Sequence, residues 1–259
     1  MPDSAIDKIL HRDRNLPEES LVQSIVFGFG HRARSGKDTV AQMILEGRGI
    51  VQCGSVTPEN VVTTWTEGKY DIRIYSFAGE LKREVNENAE KSGGMIRLFD
   101  PGIMYVQENG EILCLPEWVQ YDPNPDMTDP LCPFGKQRML LQFWGTEFRR
   151  SVNPDYWVQR LAKRLAEEKP EIALITDVRF LNEVQFCQKY GEAIEVKRPG
   201  LPSLTGAAGV HASELALANF PGWDDYIVND STLESLRDKA LFSFDMLMSA
   251  IPSARPASV

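Results

Sequence analysis

A chain of 259 residues with a formal net charge of -9 and a sequence pI near 5.0 is a poor match for a protein that tracks a nucleic-acid backbone, which calls for a basic face. The length suits one α/β domain with an insertion and requires no second core. Cys53, Cys114, Cys132 and Cys187 are scattered with no C-x-x-C pair, and histidines are too few for a zinc site, so the cysteines read as reduced thiols of a cytoplasmic protein.

Residues 1–23 form a polar, charged extension with a short amphipathic run from Ile6 to Leu10. It is neither a secretory signal nor a membrane span, and no other stretch is long and apolar enough to cross a bilayer, so a soluble protein is expected. The main domain is placed at 24–250 and a frayed tail at 251–259.

Ser24 to Phe27 is a short apolar run with β-branched residues. After Thr39, Val40, Ala41, Met43, Ile44 and Leu45 recur at helical spacing. Between them lies GFGHRARSGKDT, from Gly28 to Thr39, so the segment reads as strand, glycine-rich turn and helix start. A turn built from Gly28, Gly30 and Gly36 lets backbone N–H groups converge on an anion, and the helix N-terminus adds partial positive charge. Arg34, Ser35, Gly36, Lys37, Asp38 and Thr39 are the expected ATP-binding residues, with Lys37 reaching the outer phosphates. Measured against G-x-x-x-x-G-K-[ST], the first glycine position falls on His31, so either the loop has one extra residue or His31 occupies the tight turn. Asp38 stands where a Ser or Thr hydroxyl normally meets magnesium, and a carboxylate there can hold the ion or steer the acceptor phosphate.

Residues 47–69 mix β-branched residues with Gly and Pro and receive no assignment. Asp71 to Phe77 reads as a buried strand and Ala78 to Lys91 as a helix. Residues 92–133 are an insertion rich in turn signals, with a hairpin from Ile103 to Cys114 around Asn109-Gly110. Gly135 to Arg150 returns to helical spacing through Met139, Leu140, Phe143, Trp144 and Phe148. A second helix runs from Tyr156 to Glu168, with Trp157, Leu161 and Leu165 on one face. Ile172 to Thr176 is a continuous apolar strand of the kind found at the centre of a parallel sheet, and it ends in Asp177-Val178-Arg179. Ligands of open α/β sheets lie beyond the carboxyl ends of the strands, which places Asp177 and Arg179 on the side of the glycine-rich turn. Asn182 to Lys189 is helical, Ala193 to Lys197 and Tyr226 to Val228 are strands, and Leu233 to Met248 is a closing helix. Pro199 to Val210 is a loop suited to moving over a site and leads to His211, read as a structural hydrogen-bonder.

SGKDTVA in the first loop, SFAGELKRE from Ser76, LLQFWGTEFRR from Leu140, DYWV from Asp155, ITDVRFLNE from Ile175, HASE from His211 and IVND from Ile227 share an order and spacing. In that order and spacing the chain resembles bacteriophage deoxynucleoside monophosphate kinases, from about Ser24 to about Met248. The resemblance implies an α/β P-loop NTPase of nucleoside monophosphate kinase-like form, a parallel sheet flanked by helices with an inserted irregular segment. It implies transfer of the γ-phosphate of ATP to a deoxynucleoside 5′-monophosphate with magnesium, in the host cytoplasm, for phage DNA synthesis.

Phosphoryl transfer between two anions needs charge neutralisation and in-line positioning more than covalent chemistry. The expected catalytic set is accordingly Lys37, Asp38, Arg138, Asp177 and Arg179, with Asp38 and Asp177 as the magnesium carboxylates. Arg179 suits the acceptor phosphate because a guanidinium forks phosphate oxygens. Gln142, Thr146, Trp157, Arg179 and Glu183 are the expected acceptor contacts. Trp157 is divided between core and base stacking, with the resemblance favouring stacking, and Glu183 between a sugar hydroxyl and holding Arg179 in place. For Arg149 and Arg150 a solvated helix end and a phosphate contact stand level. Two rival readings are a P-loop kinase phosphorylating 5-hydroxymethyluracil bases in phage DNA, which the net charge disfavours, and a nucleotide-binding regulator without turnover. Base preference and subunit number, a homodimer included, are not set by these motifs.

Overall fold

The computed structural model describes residues 22–30, 32–50, 70–99, 105–106, 112–113, 115–201 and 216–250. The expectations for His31, for residues 51–69 and 202–215, His211 among them, and for both termini lie outside the described residues. Contacts divide the chain into two compact units. The sheet unit takes in the described residues of Val22–Gly54, Val62–Ser76 and Leu165–Val259, and the second unit those of Phe77–Arg164.

The sheet unit holds β1 (Ile25–Gly30), α1 (Lys37–Arg48), β2 (Ile72–Tyr75), β5 (Ile172–Val178), α6 (Leu181–Tyr190), β6 (Gly191–Lys197), β7 (Asp225–Val228) and α7 (Leu233–Ala250). Its five strands run in the order β2-β5-β1-β6-β7, and every neighbouring pair is parallel. β1 reads IVFGFG and β5 reads IALITDV because both are buried on two faces at the centre of the sheet, where strands lose the polar alternation of a half-exposed strand. One face carries Phe27, Phe29, Leu174, Ile194, Val196 and Ile227 against Val40, Ala41 and Ile44 of α1 and Leu236, Ala240 and Phe244 of α7. Phe27 and Phe244 meet at 5.4 Å between ring centroids. Fully burying side chains of this size contributes about 1.5–3 kcal/mol each. Arg48 adds a forked bond from α1 to Asp245 of α7, Nε to Oδ1 at 2.8 Å and Nη2 to Oδ2 at 2.5 Å.

Gly28 and Gly30 belong to β1, not to the turn the sequence assigned them to. Their lack of a side chain serves the opposite face. A Cβ on Gly28 would meet Cys187 Sγ of α6 at 2.3 Å, and one on Gly30 would meet the Trp223 ring at 2.1 Å. The glycines that looked like loop punctuation are therefore approach points for packing.

The second unit contains α2 (Phe77–Ser92), α3 (Met95–Leu98), the antiparallel pair β3 (Tyr105–Val106) and β4 (Ile112–Leu113), α4 (Arg138–Gln142) and a π-helix over Phe143–Arg150. Most of α5 (Tyr156–Glu168) lies in it as well. Of the hairpin expected around Asn109-Gly110, the described strands β3 and β4 pair antiparallel, Tyr105 with Leu113 and Val106 with Ile112, and its turn lies outside the described residues. The single helix expected over Gly135 to Arg150 is instead a short α-turn widening into π geometry, as the bond from Ser151 N–H to Thr146 C=O at 3.0 Å illustrates. Over so few residues the apolar pair Trp144 and Phe148 stays adjacent in either geometry, so spacing cannot tell the two apart.

Candidate functional site

The loop leaving β1 enters α1 through two left-handed residues, Arg34 at φ 63° and Gly36 at φ 103°, with Ser35 between them. Such backbone is costly for arginine and free for glycine, and it turns successive N–H groups to one side, as in anion-binding nests. Gly36 is the N-cap of α1 and supplies no side-chain cap, so the first N–H groups of the helix receive none from that residue. Lys37 is 5% exposed, and its ammonium donates to the Arg32 carbonyl, which folds the side chain back along the loop. Asp38, Thr39 and Arg34 are exposed. Ser35 is buried, and its hydroxyl has no hydrogen-bond partner among the described residues. The Ser35 carbonyl accepts from Asn229 Nδ2 at 3.0 Å, across from the turn that follows β7.

Parallel pairing sets Gly30 of β1 opposite Val178 of β5, so the loop after β1 starts beside Asp177 and Arg179. From β1 the chain leaves through α1, which packs on the Phe27 face; from β5 it leaves through α6, which packs on the Gly28 face. Neighbouring strands whose connections depart on opposite faces open a crevice at their carboxyl ends, the usual ligand position in such sheets. Asp177 and Arg179 are half-buried there.

Glu183 is 1% exposed, and its Oε2 accepts from the backbone N–H of Arg179 at 2.7 Å and of Phe180 at 3.1 Å. As the third residue of α6 it reaches back over the helix start and ties down the backbone of Arg179. Behind it, burial and then the nearby Glu183, Asp177 and Asp224 carboxylates push the Cys187 thiol well above its ordinary range, so it is an inert packing group.

The remaining expected residues belong to the second unit. Arg138 and Gln142 are exposed on α4 and Thr146 is half-buried in the π-helix. Trp157 is 2% exposed, donates its indole N–H to the Gly145 carbonyl at 3.1 Å and meets Tyr156 edge-on at 4.8 Å. In this conformation its ring is core, and a base stacks on it only if its neighbours move. Arg149 is not a solvated helix end. Its Nε donates to Glu84 Oε1 at 2.7 Å, and its guanidinium lies 4.6 Å from the Tyr156 ring centroid and 4.7 Å from that of Phe148. Arg150 donates to the Pro154 carbonyl at 3.3 Å.

Glu84 itself was not singled out from the sequence. Its carboxylate is buried and also accepts from Trp144 Nε1 at 2.8 Å and from the Tyr156 hydroxyl at 2.5 Å. One turn earlier, Glu80 accepts from Arg83 at 2.6 Å and Arg164 at 3.2 Å. Burial and then the Glu84 charge drive the Tyr156 phenol well above its usual range, so it remains a donor. Glu80 and Glu84 share a helical stripe with Phe77 and Asn88, all four buried, but with Phe77 the one apolar member that stripe is visible in the structure and not in the sequence pattern.

Among the described residues no three His, Cys, Asp or Glu side chains gather as a metal cluster, and no helix is long and apolar enough to cross a membrane. No family model matches the chain. A curated relative, the deoxynucleoside-5′-monophosphate kinase of Escherichia phage T5, is 26% identical over 186 residues, covering 64% of this chain and 72% of the relative. The five-stranded parallel sheet with flanking helices fits an α/β nucleotide-kinase-like fold, and the sequence similarity supports a relationship to that phage kinase.

Proposed function

We propose that the protein is a nucleotide kinase that transfers the γ-phosphoryl group of ATP to deoxynucleoside 5′-monophosphates, supplying precursors for phage DNA synthesis in the host cytoplasm. The observation that carries the reading is the pairing of Gly30 with Val178, which starts the Arg32–Gly36 loop beside Asp177 and Arg179 at the carboxyl end of the sheet. The similarity to the phage T5 kinase supports it independently.

In this reading the Arg34–Thr39 segment is a phosphate loop. Lys37, at the start of α1, brings an ammonium with three donors to this loop and meets the outer phosphates of ATP. Arg179, its backbone fixed by Glu183, takes an acceptor phosphate in a forked contact. An oxygen of the acceptor 5′-phosphate bonds to the γ-phosphorus as that phosphorus loses its bond to the β–γ bridging oxygen, and ADP leaves. Arg138, Gln142 and Thr146 are assigned to the acceptor on the resemblance alone, and Trp157 only after a movement that frees its ring.

Asp38 and Asp177 are hard oxygen donors of the kind magnesium takes, and would hold an ion that draws its other ligands from phosphates and water. When bound, the ion neutralises phosphate oxygens. An assay coupling ADP release to an optical signal, run with ATP, magnesium and each of the four deoxynucleoside monophosphates, tests the proposal. Turnover with at least one is expected; no ADP release with any of them would refute it.

A further inference from the structure

We infer that Asn229 is a positioning residue for the nucleotide loop, a clasp from the turn after β7 that sets the orientation of the Ser35–Gly36 peptide. The inference rests on the reading of that loop as a phosphate cradle. Asn229 Nδ2 donates to the Ser35 carbonyl at 3.0 Å across 194 positions of sequence. The peptide plane is trans, so drawing the carbonyl towards β7 turns the Gly36 N–H to the other side. A loop that binds anions through backbone N–H groups requires that peptide in one of its two flipped orientations, and an amide donor on the carbonyl selects it.

The clasp is itself rigid. The Asn229 backbone N–H donates to the Lys197 carbonyl of β6 at 2.7 Å. Lys239 of α7 reaches back to the same turn, donating to the Val228 carbonyl at 3.0 Å and to Asp230 Oδ1 at 2.6 Å. The residues on both sides of Asn229 are thereby tied to α7, so the amide is presented without further ordering.

Gly36 is required by the same arrangement. A Cβ there would lie 2.7 Å from Asn229 Nδ2, and the φ of 103° is strained for any other residue. Glycine at the helix cap is commonly attributed to phosphate approach alone, yet here the amide of Asn229 occupies the side on which a methyl group would stand.

Calorimetric titration of the full chain with ATP and magnesium, together with steady-state kinetics on a deoxynucleoside monophosphate, tests the clasp in Asn229→Ala and Asn229→Asp. Both variants are expected to weaken ATP binding and raise its KM by about tenfold, the worth of one hydrogen bond to an ordered peptide, with the acceptor KM within about twofold of wild type. Asn229→Asp keeps the volume but only accepts, so it should be no better than alanine, a result that packing alone does not give. Wild-type ATP affinity in both variants overturns the clasp, as does failure of both to fold, which would make Asn229 a structural residue. Absence of ATP binding by the wild-type chain overturns the kinase reading instead, and the two failures are told apart by that control.

Discussion

Around Glu84 in the second unit, a buried carboxylate meets donors from Trp144, Arg149 and Tyr156, while around Ser35 in the sheet unit a buried hydroxyl has no partner among the described residues. Both regions bury polar groups at a cost in lost hydration, and that cost is larger for the carboxylate than for the hydroxyl. In the first, the groups match and the result is a fixed interior. In the second, the backbone adopts left-handed turns at Arg34 and Gly36, and Arg34, Asp38 and Thr39 stand exposed beside it. Under the proposed function, unmatched polarity and backbone strain gather where a ligand is to complete the set, and matched polarity where the fold must hold without one.

The largest test of this contrast is Glu84→Ala. It removes the acceptor shared by a half-buried arginine, a buried indole N–H and a buried phenol, so a loss of about 3–5 kcal/mol in unfolding free energy is expected in chemical denaturation. The remaining folded protein should bind ATP as before. If Glu84→Ala instead left stability intact and removed activity, the network would belong to the chemistry and the contrast would fail.

Lys37→Ala is the mirror experiment. The side chain is 5% exposed and its ammonium donates to a carbonyl of its own loop, so its removal should cost the fold less than the loss of the Glu84 acceptor does. Under the proposed function kcat should fall at least about a hundredfold, the scale of losing a charged group aimed at transferring phosphate. A variant that unfolds as readily as Glu84→Ala, or that retains turnover, breaks the comparison from the other side.

These two residues also mark how far the sequence could be read. The setting of Lys37 was legible because it is local: a strand, a turn and a helix start lie within a dozen residues, although β1 runs on through Gly28 and Gly30. The adjacency of Asp177 and Arg179 to that loop followed from a general rule about parallel sheets. Glu84 was not legible, because nothing in SFAGELKRE distinguishes a glutamate on the buried stripe from one facing water until the partners Trp144, Arg149 and Tyr156, 60 to 72 positions away, are placed. Asn229 stood in a motif that read as a turn, and its bond to Ser35 spans most of the chain. Gly28 and Gly30 show the reverse error. Their spacing matched a local motif, while their cause was the approach of Cys187 and Trp223.

Between the two extremes lies Asp129, which joins Lys82 of α2 at 2.9 Å and Lys136 at 3.6 Å, with 14% of its side chain exposed. Burial raises its pKa, but the Lys82 bond and charge, the Leu131 N–H and Lys136 together hold it below the ordinary 3.8. A carboxylate with a depressed folded pKa contributes stability that is fully present above the unfolded value and is lost as pH falls through the folded one. Asp129→Asn should therefore lower the denaturation midpoint at neutral pH by less than Glu84→Ala does, because one of its three neighbouring donors, the Leu131 N–H, is met by an amide oxygen as well. The gap between wild type and variant should stay constant from neutrality to about pH 5 and close only below about pH 4. A gap that closes near neutrality would assign the stabilisation to a group other than this carboxylate.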